Sequence, residues 1–346
     1  STEHDLRGYF PGRPAMAAWL CRVACGRGTK ECVDGRWVTQ GPLFADGGFA
    51  YVYRGTDNKS GDDIAIRRAL LQDDETLNAA RLEIGILESL PPHNNIVRFL
   101  GAEIFSANSQ GPGRPRTTEY VSLFELCPGG TLVDRLQKAM EASSPPTQSL
   151  NGAPCCCPCL NDKDALKVLG GTAGALSRLH ELSIVHYDVK SENLMMGADG
   201  QWKLGDFGSA SKKTFDFGPS APRNLVLEAE EFVAGRCTPM YRAPEVADLY
   251  LRWTIGPKVD IFALGCVFFA CLTGAHPFPQ DSQLANVQAT WRSPRELAAA
   301  YPSAFASWLS RLLAREPVER PTASELAAEV RAFCTDRSEP PASSPS

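Results

Sequence analysis

The pattern of apolar and polar positions changes period partway along the chain. Between residues 32 and 126 the apolar residues fall in short runs at 42–45, 49–55, 62–69, 96–105 and 119–126, the two-residue repeat of half-buried strands. Cys32-Val33-Asp34-Gly35-Arg36-Trp37-Val38 adds two short strands around an Asp-Gly turn. One helical stretch interrupts them at 74–90, where Leu77, Ala80, Ile84 and Leu87 recur at helical spacing. Beyond 127 the helical period takes over. Leu166, Leu169, Ala173, Leu176 and Leu179 make one apolar stripe on a helix over 162–182. Ile261 to Leu272 is apolar on nearly all sides and predicts a buried central helix. Helical patterns return at 303–314 and 322–334. The class expected is α+β: a small β-rich unit with one main helix, 32–126, then a larger, mostly helical unit, 127–335.

Composition adds the edges of these units. Residues 1–31 read as an N-terminal extension whose polar, Gly- and Pro-containing start frays. Residues 141–161 form a Ser/Pro/Cys-rich insert expected to be disordered, and 336–346 a tail of the same kind. The chain holds twelve cysteines. With no secretory signal evident, they read as free thiols. Cys155, Cys156, Cys157 and Cys159 lack the paired C-x-x-C spacing of a zinc site. Net charge is −5 with no basic run, so no nucleic-acid partner is expected. No apolar stretch reaches the ~18–20 residues of a membrane span, so no transmembrane segment and a cytoplasmic location are expected.

Two motifs carry the chemistry: His186-Tyr187-Asp188-Val189-Lys190-Ser191-Glu192-Asn193 and Leu204-Gly205-Asp206-Phe207-Gly208. Asp188 can accept a proton from a hydroxyl, and Lys190 can neutralise phosphate charge. Asn193 and Asp206 offer the hard oxygen ligands that Mg²⁺ prefers. Either motif alone is common. Their joint occurrence, with the two aspartates 18 residues apart and β-like sequence between, is specific for phosphoryl transfer.

The β-rich portion supplies weaker signals. Phe44 to Tyr53, with Ala45, Gly47 and Gly48, is a Gly-containing turn between strands, where small residues let backbone N–H groups close over phosphates. Ile64-Ala65-Ile66-Arg67 places a cation at 67 that can pair with Glu83 on the following helix. Leu123-Phe124-Glu125-Leu126-Cys127-Pro128-Gly129-Gly130 is a strand ending in a flexible link suited to hydrogen-bonding a base. Asp260, at the start of the apolar helix, needs partners, and Glu245 with Arg320 suits a buried ion pair. These last three read as structural.

With these motifs in order from about Leu43 to Cys334, the chain resembles the eukaryotic protein kinase domain, with its bilobal fold. His186-Tyr187-Asp188 stands where the family has H-R-D, Asp206-Phe207-Gly208 is its D-F-G, Ala243-Pro244-Glu245 its A-P-E, and Ile64-Ala65-Ile66-Arg67 occupies V-A-I-K. The resemblance implies ATP and Mg²⁺ as cofactors. It makes Asp188, Lys190 and Asn193 catalytic, and Asn193 and Asp206 the metal ligands. It builds the ATP site from Ala45, Gly47, Gly48, Val52, Ala65, Arg67, Glu83, Glu125 and Cys127. Thr238 and Lys190 match Ser/Thr rather than Tyr specificity, so the expected partners are proteins carrying serine or threonine. Within the family, Gly47-Gly48-Phe49-Ala50, Gly208-Ser209-Ala210, Cys237-Thr238 and Tyr241-Arg242-Ala243-Pro244-Glu245 are most similar to the numb-associated kinase group. The front, Leu20 to Thr29, is similar to a myristoylated and palmitoylated member of that group. That implies trafficking or membrane-associated partners and a peripheral place on secretory membranes.

Three departures matter. Ala45 and Ala50 replace glycines of G-x-G-x-x-G. Tyr187 replaces the arginine that pairs with a phosphorylated activation loop. Arg67 replaces the phosphate-anchoring lysine, and its planar fork suits Glu83 better than it suits phosphate. Two readings follow: a Ser/Thr protein kinase, slowed by Arg67, or a pseudokinase acting as a nucleotide-binding or scaffolding module.

Overall fold

The computed structural model describes residues 28–47, 50–107, 117–142, 159–218, 221–222, 224–278, 283–291 and 297–337. They belong to two compact units, one within Ser1–Pro91 and Val97–Cys127, the other within Pro92–Ile96 and Pro128–Ser346. The class is α+β, as expected, with one β-rich and one mostly helical unit.

The first unit is a six-stranded antiparallel sheet with one helix. Its strands are β1 (Lys30–Val33), β2 (Arg36–Gly47), β3 (Ala50–Asp57), β4 (Asp63–Leu71), β5 (Phe99–Ala107) and β6 (Thr117–Glu125), in the order β1-β2-β3-β4-β6-β5. Helix α1 (Asp74–Ser89) starts in a capping box, Asp73 accepting from the Thr76 amide and Thr76 answering the Asp73 amide. The two strand runs expected at 36–38 and 42–45 are one strand. The β2–β3 register shifts between Gln40 and Leu43, so the strand continues past Pro42, which has no N–H to give the ladder, through a bulge.

Alternation along β4 decides what each face does. Ile64 and Ile66 join Val33, Val38, Tyr53, Val121 and Leu123 in the core. Ala65, Arg67 and Ala69 lie on the other face, registered against Phe124, Ser122 and Tyr120 of β6. That face meets α1, where Ala80 packs with Leu71 and Tyr120 and is joined by Leu77 and Ile84. Arg68, on the core side, is buried but satisfied by Glu31, Glu119 and Gln40.

The run expected as a strand over 96–105 begins only at Phe99. Residues 92–96 pack with the second unit instead, because Asn95 donates to the Trp202 carbonyl at 2.9 Å and Ile96 pairs with Leu204. The helical unit contains α2 (Leu132–Ala142), α3 (Asp162–Glu181), a hairpin of β7 (Leu194–Met196) and β8 (Trp202–Leu204), α4 (Leu225–Ala234), α5 (Pro244–Ala247), α6 (Lys258–Thr273), α7 (Gln283–Gln288), α8 (Leu297–Ala300), α9 (Ser303–Leu312) and α10 (Ala323–Asp336). Sequence periodicity gave no reading for α2, α4, α5, α7 or α8; the last three span six residues or fewer, too short to carry a helical pattern. At the two ends of the insert expected at 141–161, α2 runs through Ala142, and the Cys159 and Leu160 amides donate to the Leu272 and Cys271 carbonyls. Residues 143–158, with Cys155, Cys156 and Cys157, lie outside the described residues, as do most of the N-terminal extension and most of the tail.

Helix α6 is buried from Val259 to Thr273 and forms the centre of this unit. Glu245 and Arg320, both fully buried, pair through two hydrogen bonds of 2.7 and 2.8 Å. The carbonyls of Lys258, Ala314 and Arg315 take the remaining guanidinium donors. The expected partners of Asp260 are His180 Nε2 and the amides of His186 and Tyr187, each at 2.9 Å.

Candidate functional site

The hairpin β7–β8 is what turns two motifs into one locus. Leu194 pairs with Leu204 and Met196 with Trp202, so the residue just before β7 and the residue just after β8 must meet. They do: the Gly205 amide donates to the Asn193 carbonyl at 2.9 Å. His186 fixes the other side of this crossing. Its Nε2 lies 3.1 Å from the Gly205 carbonyl, its Nδ1 accepts from the Asp188 amide, and its buried ring meets Phe207 edge-on. Asp260 holds the loop from beneath through the two amides that precede Asp188.

Asp188 is buried, and both of its carboxylate oxygens are engaged. Thr238 donates its hydroxyl to Oδ1 at 2.6 Å and its amide to the same oxygen at 3.2 Å. Lys190 Nζ lies 2.5 Å from Oδ2, and 3.2 Å from the Thr238 hydroxyl. The Asn193 amide nitrogen donates to the Asp188 carbonyl at 2.8 Å, and more weakly to Oδ2 at 3.4 Å. An ionised carboxylate in this setting keeps one orientation, because each direction it faces holds a donor.

Asp206 differs in kind. It is exposed, and its φ of 56° lies in the left-handed region that a non-glycine residue enters only when its surroundings impose it. The next residue, Phe207, is buried against His186. With its amide nitrogen committed to Asp188, Asn193 keeps its side-chain oxygen as an acceptor. The hairpin sets the residue before Asp206 against Asn193, and an exposed carboxylate and an amide oxygen are the kinds of ligand that Mg²⁺ takes alongside water and phosphate. Among the described residues no cluster of three or more His, Cys, Asp or Glu side chains is arranged to hold a metal.

The first unit carries the other named residues. Arg67 Nη1 is 2.7 Å from Glu83 Oε1, a strand-to-helix pair in which Glu83 is buried and Arg67 is partly exposed. The Arg67 guanidinium also sits 5.8 Å from the centre of the Tyr120 ring. Burial, with the Glu83 charge second, pushes the Tyr120 phenol well above its ordinary range. Val52 is registered against Arg67, and Ala65 against Phe124, whose ring packs on Phe99 at 5.7 Å. The Glu125 amide donates to the Arg98 carbonyl and its side chain accepts from the Arg98 amide, so the end of β6 is clamped to the start of β5. Cys127 is buried. Ala45 and Gly47 are exposed on β2, with Ala45 against Val52 and Gly47 against Ala50. Gly48 lies outside the described residues.

Tyr120 escaped the sequence reading. Strand alternation places it on the Arg67 face, but the register that sets it near the guanidinium is a β4–β6 pairing across some fifty residues, for which the sequence carries no local signal. Among the described residues no helix is long and apolar enough to cross a membrane.

The protein kinase domain family model matches residues 40–330. Among curated proteins, the chain is 30% identical over 297 residues to a probable serine/threonine-protein kinase of Dictyostelium discoideum, covering 85% of this chain and 34% of the relative. A second probable serine/threonine-protein kinase of that organism is 29% identical, covering 82% of this chain and 23% of its own length. A serine/threonine-protein kinase of Saccharomyces cerevisiae is 28% identical, with coverage of 84% and 25%. The chain thus spans only a quarter to a third of the length of these relatives.

Proposed function

Because the chain belongs to the protein kinase domain family, we propose that it transfers the γ-phosphoryl group of ATP to serine and threonine hydroxyls of proteins. The observation that carries this reading is the arrangement at Asp188. Its carboxylate is aimed by Lys190 and Asn193 of its own loop and by Thr238, 50 residues further along the chain. In the proposed step Asp188 accepts the substrate hydroxyl proton while that oxygen forms its bond to the γ-phosphorus and the bond to the departing ADP oxygen breaks. Lys190 carries a positive charge beside the same carboxylate, suited to the equatorial oxygens of the transferring group. Asn193 and Asp206 would hold Mg²⁺, which supplies charge neutralisation on the phosphates.

Arg67 favours a second reading, a pseudokinase serving as a nucleotide-binding or scaffolding module. Its guanidinium is engaged by Glu83 and faces Tyr120, an arrangement that a lysine, as a point charge on a longer flexible stem, would leave more freely. The motif similarities to the numb-associated group support trafficking or membrane-associated substrates and a cytoplasmic, peripheral location.

The test is ³²P transfer from Mg-ATP to histone, comparing the wild type with Asp188→Asn. The kinase reading expects a loss of at least ~100-fold in kcat, the scale of a general base. Equal rates for the two proteins would sink it and leave the pseudokinase.

A further inference from the structure

Arg67 is the residue on which the two readings divide, and the strand beside it is shaped to receive it. On the Arg67 face of β6, Tyr120, Ser122 and Phe124 follow one another at the two-residue repeat. The register sets Phe124 against Ala65, Ser122 against Arg67 and Tyr120 against Ala69. Two aromatic residues thus flank one small residue, and the small one lies directly opposite the arginine. Ser122 is fully buried. Cross-strand partners on one face stand only ~4.5–5.5 Å apart at Cβ, so a larger side chain at 122 would take space that the arginine stem and fork occupy.

Other groups close this notch. Glu83 of α1 holds the guanidinium at 2.7 Å and is itself buried. The Tyr120 ring centre stands 5.8 Å from the guanidinium carbon. After burial, the Glu83 charge acts most strongly on the Tyr120 phenol, followed by the Arg67 charge and the Ser122 hydroxyl, so the four side chains share one locus. Among the described residues neither the phenol nor the Ser122 hydroxyl makes a hydrogen bond of good geometry. The ring face of Tyr120 and the small size of Ser122 therefore shape the notch, more than their hydroxyls do.

The notch draws the cation to one side. Tyr120 packs with Leu71 and Ala80, toward α1. Ala65 and Glu125, which the resemblance sets around the nucleotide, lie toward the opposite end of the β4–β6 pairing. A guanidinium held between Glu83 and the Tyr120 ring is pulled away from that end. An ammonium has no planar face to lay on a ring and is more strongly hydrated, so the same notch holds lysine less.

We infer that Ser122 and Tyr120 are positioning residues matched to arginine at 67: Ser122 makes room for the guanidinium, and the Tyr120 ring holds it on Glu83 and withholds part of its charge from the phosphates of ATP. The withholding rests on the ATP site of the reading above; the match between 122 and 67 does not.

The experiment uses the full chain in two backgrounds, wild type and Arg67→Lys, each combined with Ser122→Val, Tyr120→Leu or Tyr120→Phe. Tm is measured without nucleotide, and Kd for Mg-ATP by calorimetry. Ser122→Val should lower Tm by about 4 °C in the wild-type background, the scale of an overfilled core site, and by less than about 1 °C beside Arg67→Lys. Tyr120→Leu should tighten Mg-ATP binding by about threefold in the wild-type background, the scale of one cation–π contact, and by less than about 1.5-fold beside Arg67→Lys. The conservative Tyr120→Phe keeps the ring and should restore the wild-type Kd. An equal Tm loss in both backgrounds makes Ser122 an ordinary core residue and overturns the match. Unchanged or weaker binding in Tyr120→Leu, or equal tightening in Tyr120→Phe, overturns the hold by the ring, and leaves the kinase reading to the Asp188→Asn comparison. If neither the wild type nor Arg67→Lys binds Mg-ATP, the ATP site and the withholding fall together, while the Tm comparison still decides the match.

Discussion

The Thr238 hydroxyl donates to Asp188 Oδ1 at 2.6 Å across 50 residues of chain. One bond thus ties the end of the segment after Asp206 to the proposed base, and makes the orientation of that base depend on the folding of the whole segment. Thr238→Ala should lower kcat by about tenfold, the lower end for a hydrogen bond to a charged group, with little effect on KM for ATP. Thr238→Ser keeps the donor and should stay near wild type. Steady-state kinetics of the two variants check this, and equal losses in both would assign the effect to packing.

Arg67→Lys tests the other half of the chemistry. Arg67 pairs with Glu83 at 2.7 Å and lies over Tyr120. A lysine there keeps the charge and drops the planar fork, freeing the cation to approach phosphate. We expect kcat/KM for ATP to rise by about tenfold, since small errors in phosphate placement cost factors of that size or more. A fall would show that this chain has adapted its phosphate contacts to arginine.

Breaking the Glu245–Arg320 pair should be costly for stability. Both side chains are fully buried, and among the described residues the Glu245 carboxylate is the counter-charge within ion-pair distance of that guanidinium. Glu245→Gln leaves the cation buried without it, and should cost about 3–5 kcal/mol in urea unfolding. A loss below about 1 kcal/mol would mean that the surrounding carbonyls suffice.

His276 gives the helical unit a stability that depends on pH. Burial pushes its imidazole from 6.5 down to about 4. Its Nε2 is buried without a partner among the described residues, and its ring meets Tyr241 edge-on at 4.9 Å; the Phe278 carbonyl, 3.2 Å from Nδ1, favours the charged form, but burial outweighs it. The unfolded chain binds a proton there below pH ~6.5, whereas the folded chain does so only near 4. The contribution is therefore complete above ~6.5 and is lost as pH falls toward 4, by up to ~3 kcal/mol. Carboxylates held low, such as Glu329 beside Arg311, lose their contribution only at lower pH. His93 shifts in the same direction, so the comparison with His276→Gln isolates the effect. Urea unfolding between pH 7 and 4.5 should show a shallower decline in the variant; parallel curves would remove His276 as the cause.

Sequence alone determined the elements and the local chemistry. Alternation marked the strands, helical spacing marked α1, α3, α6, α9 and α10, and the motifs at 186–208 named their groups because residues within one turn or hairpin stay neighbours in any fold that keeps it. It also marked Glu245, Arg320 and Asp260 as groups needing partners, since buried charge cannot go unpaired. What it left open depended on register and on contacts between distant stretches. The runs at 36–38 and 42–45 read as separate, and only the bulge in the β2–β3 pairing joins them into one strand. Tyr120 reached Arg67 only through the pairing of β4 with β6. Tyr187 read as a missing arginine, and only the packing of α4 showed a tyrosine with its own partners, Phe232 and the Lys213 carbonyl. Such contacts join residues tens of positions apart, and nothing in the local pattern of either partner encodes the other; tertiary packing alone brings them together.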